Sequence, residues 1–570
     1  VNPFFKVIGT VAFIACVSGS RAEPGLQRRI DDAVARGDKT VVIPPGEHRL
    51  DAPVRLQGLS GFTLDGAGAT LVFTNLRDGG LLVTDCEGLT LRGFTVDFDP
   101  LPFTQGTVAS VDAEKREVAF ELHEGYPDLA PHFLTGRAHV FSPDTLSWKP
   151  SAPDIYATAA EAITPRRGVL RFSPGKNEEL AAFEEGDLVA LDHRHSRGVR
   201  MERCRDVRVE DVAFWSAPSI AVIARFMDGK NVFSYKIQRG PAPAGATSPR
   251  LMSVSADGLN YAYARTGPVI EGCDFSFMGD DAVNLHGIAF FVAKSDGDVV
   301  WLLRPYNVEA FESVIAAGDE VHGLKAGSFG VSGKAKVAGF RVETEPPEDF
   351  SALAARTWRS VAVKGGRLTV YRLELTEPLA VAEGDFVEIP AIAAPGYVIR
   401  DNRFTHHRGR ALRLMSPRGL VEKNVIEDIK QSAITLGPEF TFHREAGWVN
   451  DVTIRGNTIR RVGFDAALQR ASAYTPGAIS VFHRGETPAS PRPETRHERL
   501  RIEDNVIEDT GGPAIHINQA HDVRVAGNRI RRANLAAKPG AGSLYQLTTD
   551  QAIGVDFSTE VVVAPEQTAP

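Results

Sequence analysis

Five short segments in the second half of the chain share one frame. IRDNRF (399–404), VEKNVI (421–426), IRGNTI (454–459), IEDNVI (502–507) and VAGNRI (525–530) all read apolar, polar, polar, Asn, variable, apolar. Asn402 and Asn424 are 22 residues apart, and Asn505 and Asn528 are 23 apart. The longer gaps, Asn424 to Asn457 and Asn457 to Asn505, read as coils that carry loops. Earlier copies replace the asparagine: LRGFTV (91–96), VEDVAF (209–214) and IEGCDF (270–275). A unit this short cannot bury its apolar face alone and must stack on copies of itself. Several short alternating strands per period predict a parallel β-helix. Leucine-rich repeats need a leucine consensus that is absent, and propeller blades need about 40 residues. Asparagine suits the corner because it tolerates left-handed backbone angles, and its amide reaches the same position one coil away.

The segment GLQRRIDDAVARGDKTVVIPPGEHRL gives an amphipathic helix, then a strand ending at Pro44-Pro45-Gly46. Such a helix covers the open end of a stack, where strand edges and core would otherwise be exposed. Two stretches break the repeat, at about 105–195 and about 289–391. Both show alternating strands with Gly and Asp turns, and end in GDLVALDHR and GDFVEIPA. They predict two small inserted β-barrels or sandwiches. The second leaves the coils directly after His286. The expected organisation is an export signal (1–22), cap and first coils (23–104), first barrel (105–195), coils (196–288), second barrel (289–391), coils (392–550) and a tail (551–570).

Charge excludes one class of function. The net charge is −8 with both signs dispersed, and no basic tract of the kind that grips nucleic acid is present. At the amino end, Lys6 precedes an apolar run from Val7 to Val17, and Ser20-Arg21-Ala22 follows as a cleavage-like site. This reads as a secretory signal, too short to span a membrane. A buried N-terminal helix is the plainer alternative, and Cys16 is an imperfect lipoprotein-anchor cysteine. Cys86, Cys204 and Cys273 sit in strand-like coils without metal or disulfide spacing, and read as small buried residues. The expectation is an exported protein, periplasmic or extracellular, with no membrane span.

VSADG (254–258) and SFMGDDAVNLHG (276–287) concentrate carboxylates. Asp257 and Asp280 are 23 residues apart, about one coil, and coils stack at about 4.8 Å. Asp281 adjoins Asp280, and at a bend both reach one cleft. Turn aspartates of this composition are common, and hard oxygen ligands for calcium also cluster. Chemistry offers a third reading. Three carboxylates so close repel one another, so one is pushed to hold a proton while others stay ionised. Hydrolysis of a glycosidic bond needs that division, and a gap of roughly 6.5–9.5 Å between acid and base gives inversion. No cofactor is needed. His406 and His407 look like a metal pair but lack a carboxylate at ligand spacing.

These motifs carry a resemblance. SADG followed by GDD is similar to the NTDG…GDD cluster of polygalacturonases, inverting glycosidases on a pectin-lyase-like right-handed β-helix. The chain more closely resembles glycoside hydrolase family 110, bacterial exo-α-galactosidases that act on α-1,3-linked galactose such as the blood group B determinant. VDFDPLPFTQGTV (96–108), SADG…GDDAVNLHG, RGRALRL (408–414) and LGPEFTFHREAGW (436–448) match that family's landmarks in order. The resemblance implies an all-β chain, a right-handed parallel β-helix with two inserted barrels, acting on glycans with terminal α-galactose. It implies Asp280 as general acid, with Asp257 and Asp281 handling the attacking water. The Arg-x-Lys that grips uronates in polygalacturonases is missing, which favours neutral galactose. An endo-hydrolase or lyase on a charged polysaccharide, or a non-catalytic binding β-helix, remain the alternatives. Asn284 and His286 share a strand face and suit sugar hydroxyls; coil stacking is the plainer role. Arg410 and Arg413 follow on the next coil and reach toward substrate or toward ion pairs. Glu439, Glu445 and Trp448 lie on a loop-bearing coil, where Trp448 serves as a sugar platform or as core.

Overall fold

The computed structural model describes residues 25–305, 311–357, 368–440, 443–469, 475–483, 497–536 and 551–564. The expected export segment and Cys16 lie outside them. Two parallel ladders run the length of the molecule. One begins with Thr40–Val42, Thr63–Phe73, Thr90–Phe98, Arg208–Phe214 and Val232–Ile237, and continues to Thr559–Val563. The other passes through Val54–Gln57, Leu81–Thr84, Val199–Glu202, Val222–Arg225, Leu259–Ala262, Val283–Asp296 and Leu412–Met415, and on to Ile553–Asp556. The chain returns to the same rung on every coil, which defines a parallel β-helix.

Alternation along each strand sends every second side chain inward. The inward position is apolar on coil after coil. Leu64, Leu91, Val209, Phe233, Ile270, Ile399, Val421, Ile454, Ile502 and Val525 stack in register and are all buried. Burying each such side chain is worth about 1.5–3 kcal/mol. The helix Leu26–Arg36 buries Leu26, Ile30 and Ala33 against the first coil and stops at Gly37, whose φ is 81°. Among the described residues no helix is long and apolar enough to cross a membrane.

The asparagines form a buried hydrogen-bonded ladder. Asn402 Nδ2 donates to Asn424 Oδ1 (2.9 Å), Asn424 Nδ2 to Asn457 Oδ1 (2.9 Å), Asn457 Nδ2 to Asn505 Oδ1 (2.9 Å) and Asn505 Nδ2 to Asn528 Oδ1 (2.9 Å). Each Oδ1 also receives the backbone N–H of the previous asparagine. Here the expectation about backbone angle is corrected. The left-handed residue is the one before the asparagine: Asp401 (φ 56°), Lys423 (55°), Gly456 (63°), Asp504 (56°) and Gly527 (66°). That residue makes the bend at the surface and so tolerates any polar side chain. The asparagine is conformationally ordinary and is set by its amide, which must satisfy buried backbone groups.

Both insertions loop out between rungs and leave the stack undisturbed: Val199 still pairs with Leu81, and Leu412 with Val283. The first runs from Phe103–Asp112 to Leu188–Asp192. It is an open seven-stranded antiparallel sheet and not the barrel expected, because its end strands do not pair, and it has its own core, including Val108, Phe120, Val140 and Leu170. In the second, Val283–Asp296 pairs with Val299–Pro305, then Leu368–Leu375, Val331–Val342, Glu320–Leu324 and Phe386–Glu388, which returns to Val283–Asp296. That ring is a closed antiparallel barrel, without exposed edges. Its first strand begins as a β-helix rung and ends as a barrel stave, and its core packs on Phe226 and Tyr263 of the coils. The barrel is therefore anchored at the segment that carries Asp280 and Asp281.

Replacing Asn457 by Ala removes the amide donations to Val421 O, Arg455 O and Asn505 Oδ1 and the acceptor for Asn424 N and Nδ2. Orphaned buried polar groups cost about 1–3 kcal/mol each. The urea midpoint should fall, with a loss of about 2–4 kcal/mol; an unchanged midpoint would show that the ladder contributes nothing.

Candidate active site

The site is assembled by rung register. Leu259 lies opposite Val283, and Val283 opposite Leu412. Two residues before these rungs stand Asp257, Asp281 and Arg410, so they are level on three successive coils. The true coil is one residue longer than the 23-residue spacing suggests. Asp257 therefore lies level with Asp281, and Asp280 with Gly409. The approach is close enough to dictate glycine. A Cβ on Gly409 would sit 2.5 Å from the Asp280 carbonyl carbon and 2.6 Å from the Asp281 nitrogen; one on Gly258 would meet Ala282 O at 2.6 Å. Gly279 is equally confined, against Ser255 O. The glycines of SADG, GDD and RGR are thus the places where neighbouring coils touch.

The three aspartates sit in different electrostatic settings. Asp257 is 8% exposed and accepts one hydrogen bond, from Asn260 Nδ2 at 2.8 Å. Burial, then the charges of Asp280 and Asp281, push its carboxyl well above the usual range. Asp280 carries an arginine on each oxygen: Arg194 Nη1 on Oδ2 at 2.8 Å and Arg408 Nη2 on Oδ1 at 2.9 Å. Burial opposes ionisation of Asp280, yet these two guanidinium groups hold it well below the ordinary value. Asp281 accepts the Arg410 backbone N–H at 2.8 Å and its Nη1 at 3.2 Å. The carboxyl pushed upward is thus that of Asp257, while Asp280, to which the resemblance assigned the acid, is the one held between two guanidinium groups.

The arginines are themselves held. Arg194 also pairs with buried Asp192 at 3.1 Å and donates to Gly279 O at 3.0 Å. Arg408 donates to Gly279 O at 2.6 Å and pairs with Asp154, which Lys430 approaches at 3.5 Å. Asp154 and Asp192 come from the first insertion and Arg194 closely follows its last strand, so that insertion frames one side of the site.

The remaining candidates divide. Asn284 lies on the outward row between Asn260 and Arg413, each opposite it on an adjacent coil. The Oδ1 atoms of Asn260 and Asn284 are buried and have no hydrogen-bond partner among the described residues. His286 is buried, donates or accepts at Gly287 O through Nδ1 (2.8 Å), and lies 3.7 Å from Glu445. Burial lowers its pKa to about 4, despite Glu445. Glu445 pairs with Arg413 at 2.9 Å; against burial, Arg413 and His286 hold it at about 2. Glu439 is buried and accepts the His443 N–H at 2.7 Å. Trp448 is 6% exposed, stacks on His483 at 5.2 Å and packs against Phe440. Its ring offers no open platform, because the loop that carries it folds back onto the root of the barrel strand. Arg410 and Arg413 serve as partners of Asp281 and Glu445. His406 stacks on Phe277 at 5.1 Å, and among the described residues no three His, Cys, Asp or Glu gather at metal-binding range.

Sequence reasoning missed Asn260, Arg194, Arg408 and Asp154. Asn260 was legible, three residues after Asp257 and level with Asn284. Arg408 stood in the same RGR as Arg410. Arg194 and Asp154 gave no local signal, being far from the aspartates in the chain.

No family model matches the chain. Among solved structures, an exopolygalacturonase from Thermotoga maritima aligns at 12% identity over 89% of this chain and 82% of that one, with a TM-score of 0.36. At that score the strand register, not the likeness, defines the fold. Alpha-1,3-galactosidase B of Bacteroides thetaiotaomicron is 22% identical over 560 residues, covering 90% of this chain and 83% of that protein. Alpha-1,3-galactosidase A of Bacteroides fragilis is 23% identical over 548 residues, covering 89% and 84%. Alpha-1,3-galactosidase B of Phocaeicola vulgatus is 23% identical over 568 residues, covering 89% and 87%. Over most of its length the chain is thus similar to bacterial proteins named alpha-1,3-galactosidase.

Proposed function

We propose that this protein is an exo-acting α-galactosidase that removes terminal α-1,3-linked galactose from glycans with inversion. The observation that carries the reading is a cluster of three aspartates on two adjacent coils, one held only by an asparagine and one clamped between two arginines, in a chain similar over most of its length to α-1,3-galactosidases. Asp257 donates its proton to the glycosidic oxygen as the bond from C1 to that oxygen breaks. Water adds to C1 from the opposite face and gives its proton to Asp281, which Arg410 orients. The Asp280 carboxylate, fixed by Arg194 and Arg408, stabilises the positive charge that develops on the sugar ring. Asn260 and Asn284 accept hydrogen bonds from sugar hydroxyls. Protonating the leaving group falls to Asp257 because Asp280, with a guanidinium on each oxygen, gives up its proton too readily.

Leaving-group chemistry tests these roles. Asp257→Asn should lose about 10²–10⁴-fold on Galα1-3Gal, yet keep far more activity on a 2,4-dinitrophenyl α-galactoside, which needs no protonation. Asp280→Asn and Asp281→Asn should lose both. If Asp280→Asn is the variant rescued by the activated substrate, the acid is Asp280. NMR should show β-galactose first; failure of the wild type to release galactose from either substrate refutes the glycosidase reading.

The close approach of coils makes a second prediction. Gly409→Ala displaces the Asp280–Asp281 backbone, and kcat should fall about 100-fold while circular dichroism stays that of the wild type.

The third concerns stability. A carboxyl with a raised folded pKa binds a proton that the unfolded chain has released, so its contribution falls as pH rises above the ordinary carboxylate value. Asp257→Asn should therefore raise Tm, by more at pH 8 than at pH 4. A constant difference across that range would contradict the buried, proton-holding state.

A further inference from the structure

On the amino-terminal side of Asp257 lies a cavity of about 810 Å³. Its floor is the outward row Arg55, Leu82, Arg200 and Ile223, residues opposite one another on successive coils. The same row continues into Asn260 and Asn284. The cavity therefore opens along the groove that holds the aspartates. Arg200 stands two coils from Asn260, about 10 Å. One wall is His195, Ser196 and Arg197, the continuation of the segment whose Arg194 clamps Asp280.

The lining holds six arginines, Arg55, Arg77, Arg197, Arg200, Arg203 and Arg225, against two acids, Asp78 and Glu202. Glu202 is taken by Arg200 at 2.8 Å, and Arg203 pairs with Asp85 at 2.7 Å. The other four have no carboxylate at ion-pair distance among the described residues. Arg225 spends Nη1 on the carbonyls of Ala224 and Asn260 (both 3.1 Å), and Arg197 donates to His195 O. Burial, followed by the charges of Arg200 and Arg225, lowers the pKa of Arg197; burial also leads the lowering at Arg225. Cations gathered in a recess in excess of its carboxylates are costly, and each guanidinium fork matches the oxygens of a sulfate or a carboxylate.

We propose that this cavity binds an anionic substituent, a sulfate ester or a carboxylate, on the part of the glycan that leaves when the terminal galactose is cut. The side of the site follows from exo action, and this clause rests on the galactosidase reading. An exo-acting enzyme holds one sugar beyond the scissile bond, so a recess spanning several coils accommodates the departing chain. The missing Arg-x-Lys concerned the cleaved sugar only; these arginines act farther along.

Binding is read without turnover. Inorganic sulfate and D-glucuronate are titrated calorimetrically into the full chain at ionic strength matched with chloride, then into Arg197→Gln and, as an exposed loop position less entangled with folding, Arg77→Gln. Saturable binding of at least one anion is expected, weakened about tenfold or more by Arg197→Gln and measurably by Arg77→Gln. Sulfate alone points to a sulfate ester, glucuronate alone to a uronic acid. No binding of either, or binding that neither substitution changes, overturns the proposal. With turnover, the ratio of kcat/KM for sulfated over unsulfated α-1,3-galactobiose should fall about tenfold in Arg197→Gln. Anion binding without galactose release would refute the galactosidase reading and leave the anion site intact; galactose release without anion binding would do the reverse.

Discussion

Everything in this molecule depends on the hydrogen-bonded register between coils. A parallel ladder advances about 4.8 Å per coil and brings residues some two dozen positions apart into contact. Because the pairing is in register, a side chain at one rung recurs in space as a column. One column is the apolar core, another is the asparagine ladder, and a third is the outward row from Arg55 to Arg413 along which cavity and site lie. The aspartates are a local event in that geometry. Asp257, Asp281 and Arg410 are level because Leu259, Val283 and Leu412 pair. The glycines beside them exist because stacked bends leave no room for a Cβ.

Charge is then apportioned by what each insertion supplies. Three buried carboxylates cannot all ionise cheaply. Arg194 and Arg408 stabilise Asp280 as an anion, whereas Asp257 has only an asparagine as side-chain partner and its carboxyl is pushed upward. Both arginines are braced by aspartates of the first insertion, Asp192 and Asp154, while the barrel strand that carries Asn284 and His286 is also a coil rung. The excursions from the repeat therefore set the electrostatics of the site, and the repeat supplies its spacing.

The distance between local pattern and spatial partner explains what was readable. The frame around Asn402, Asn424, Asn457, Asn505 and Asn528 announced a coil, since its period and alternation are local. The left-handed residue was assigned one position late, because asparagine's backbone tolerance and its amide bonding both favour corners and only the buried amide ladder separates them. The aspartates were visible as a cluster, yet a one-residue error in the coil length paired Asp257 with Asp280 instead of Asp281. Trp448 looked like a platform by residue type, and burial under a folded-back loop made it core. Arg194 and Asp154 carried no signal at all, since nothing in their neighbourhood marks contact with a turn more than 80 residues away.

The sequence by itself determined the β-helix, its two interruptions and the clustering of three aspartates with their glycines, because stacking writes its demands into every coil; the expected tail after residue 550 instead adds a further coil. Tertiary structure alone decided which aspartate the arginines clamp and which they leave, and that a run of dispersed arginines converges on one cavity. Protonation follows from burial and from charges contributed by distant coils and insertions, and those are set by register in three dimensions.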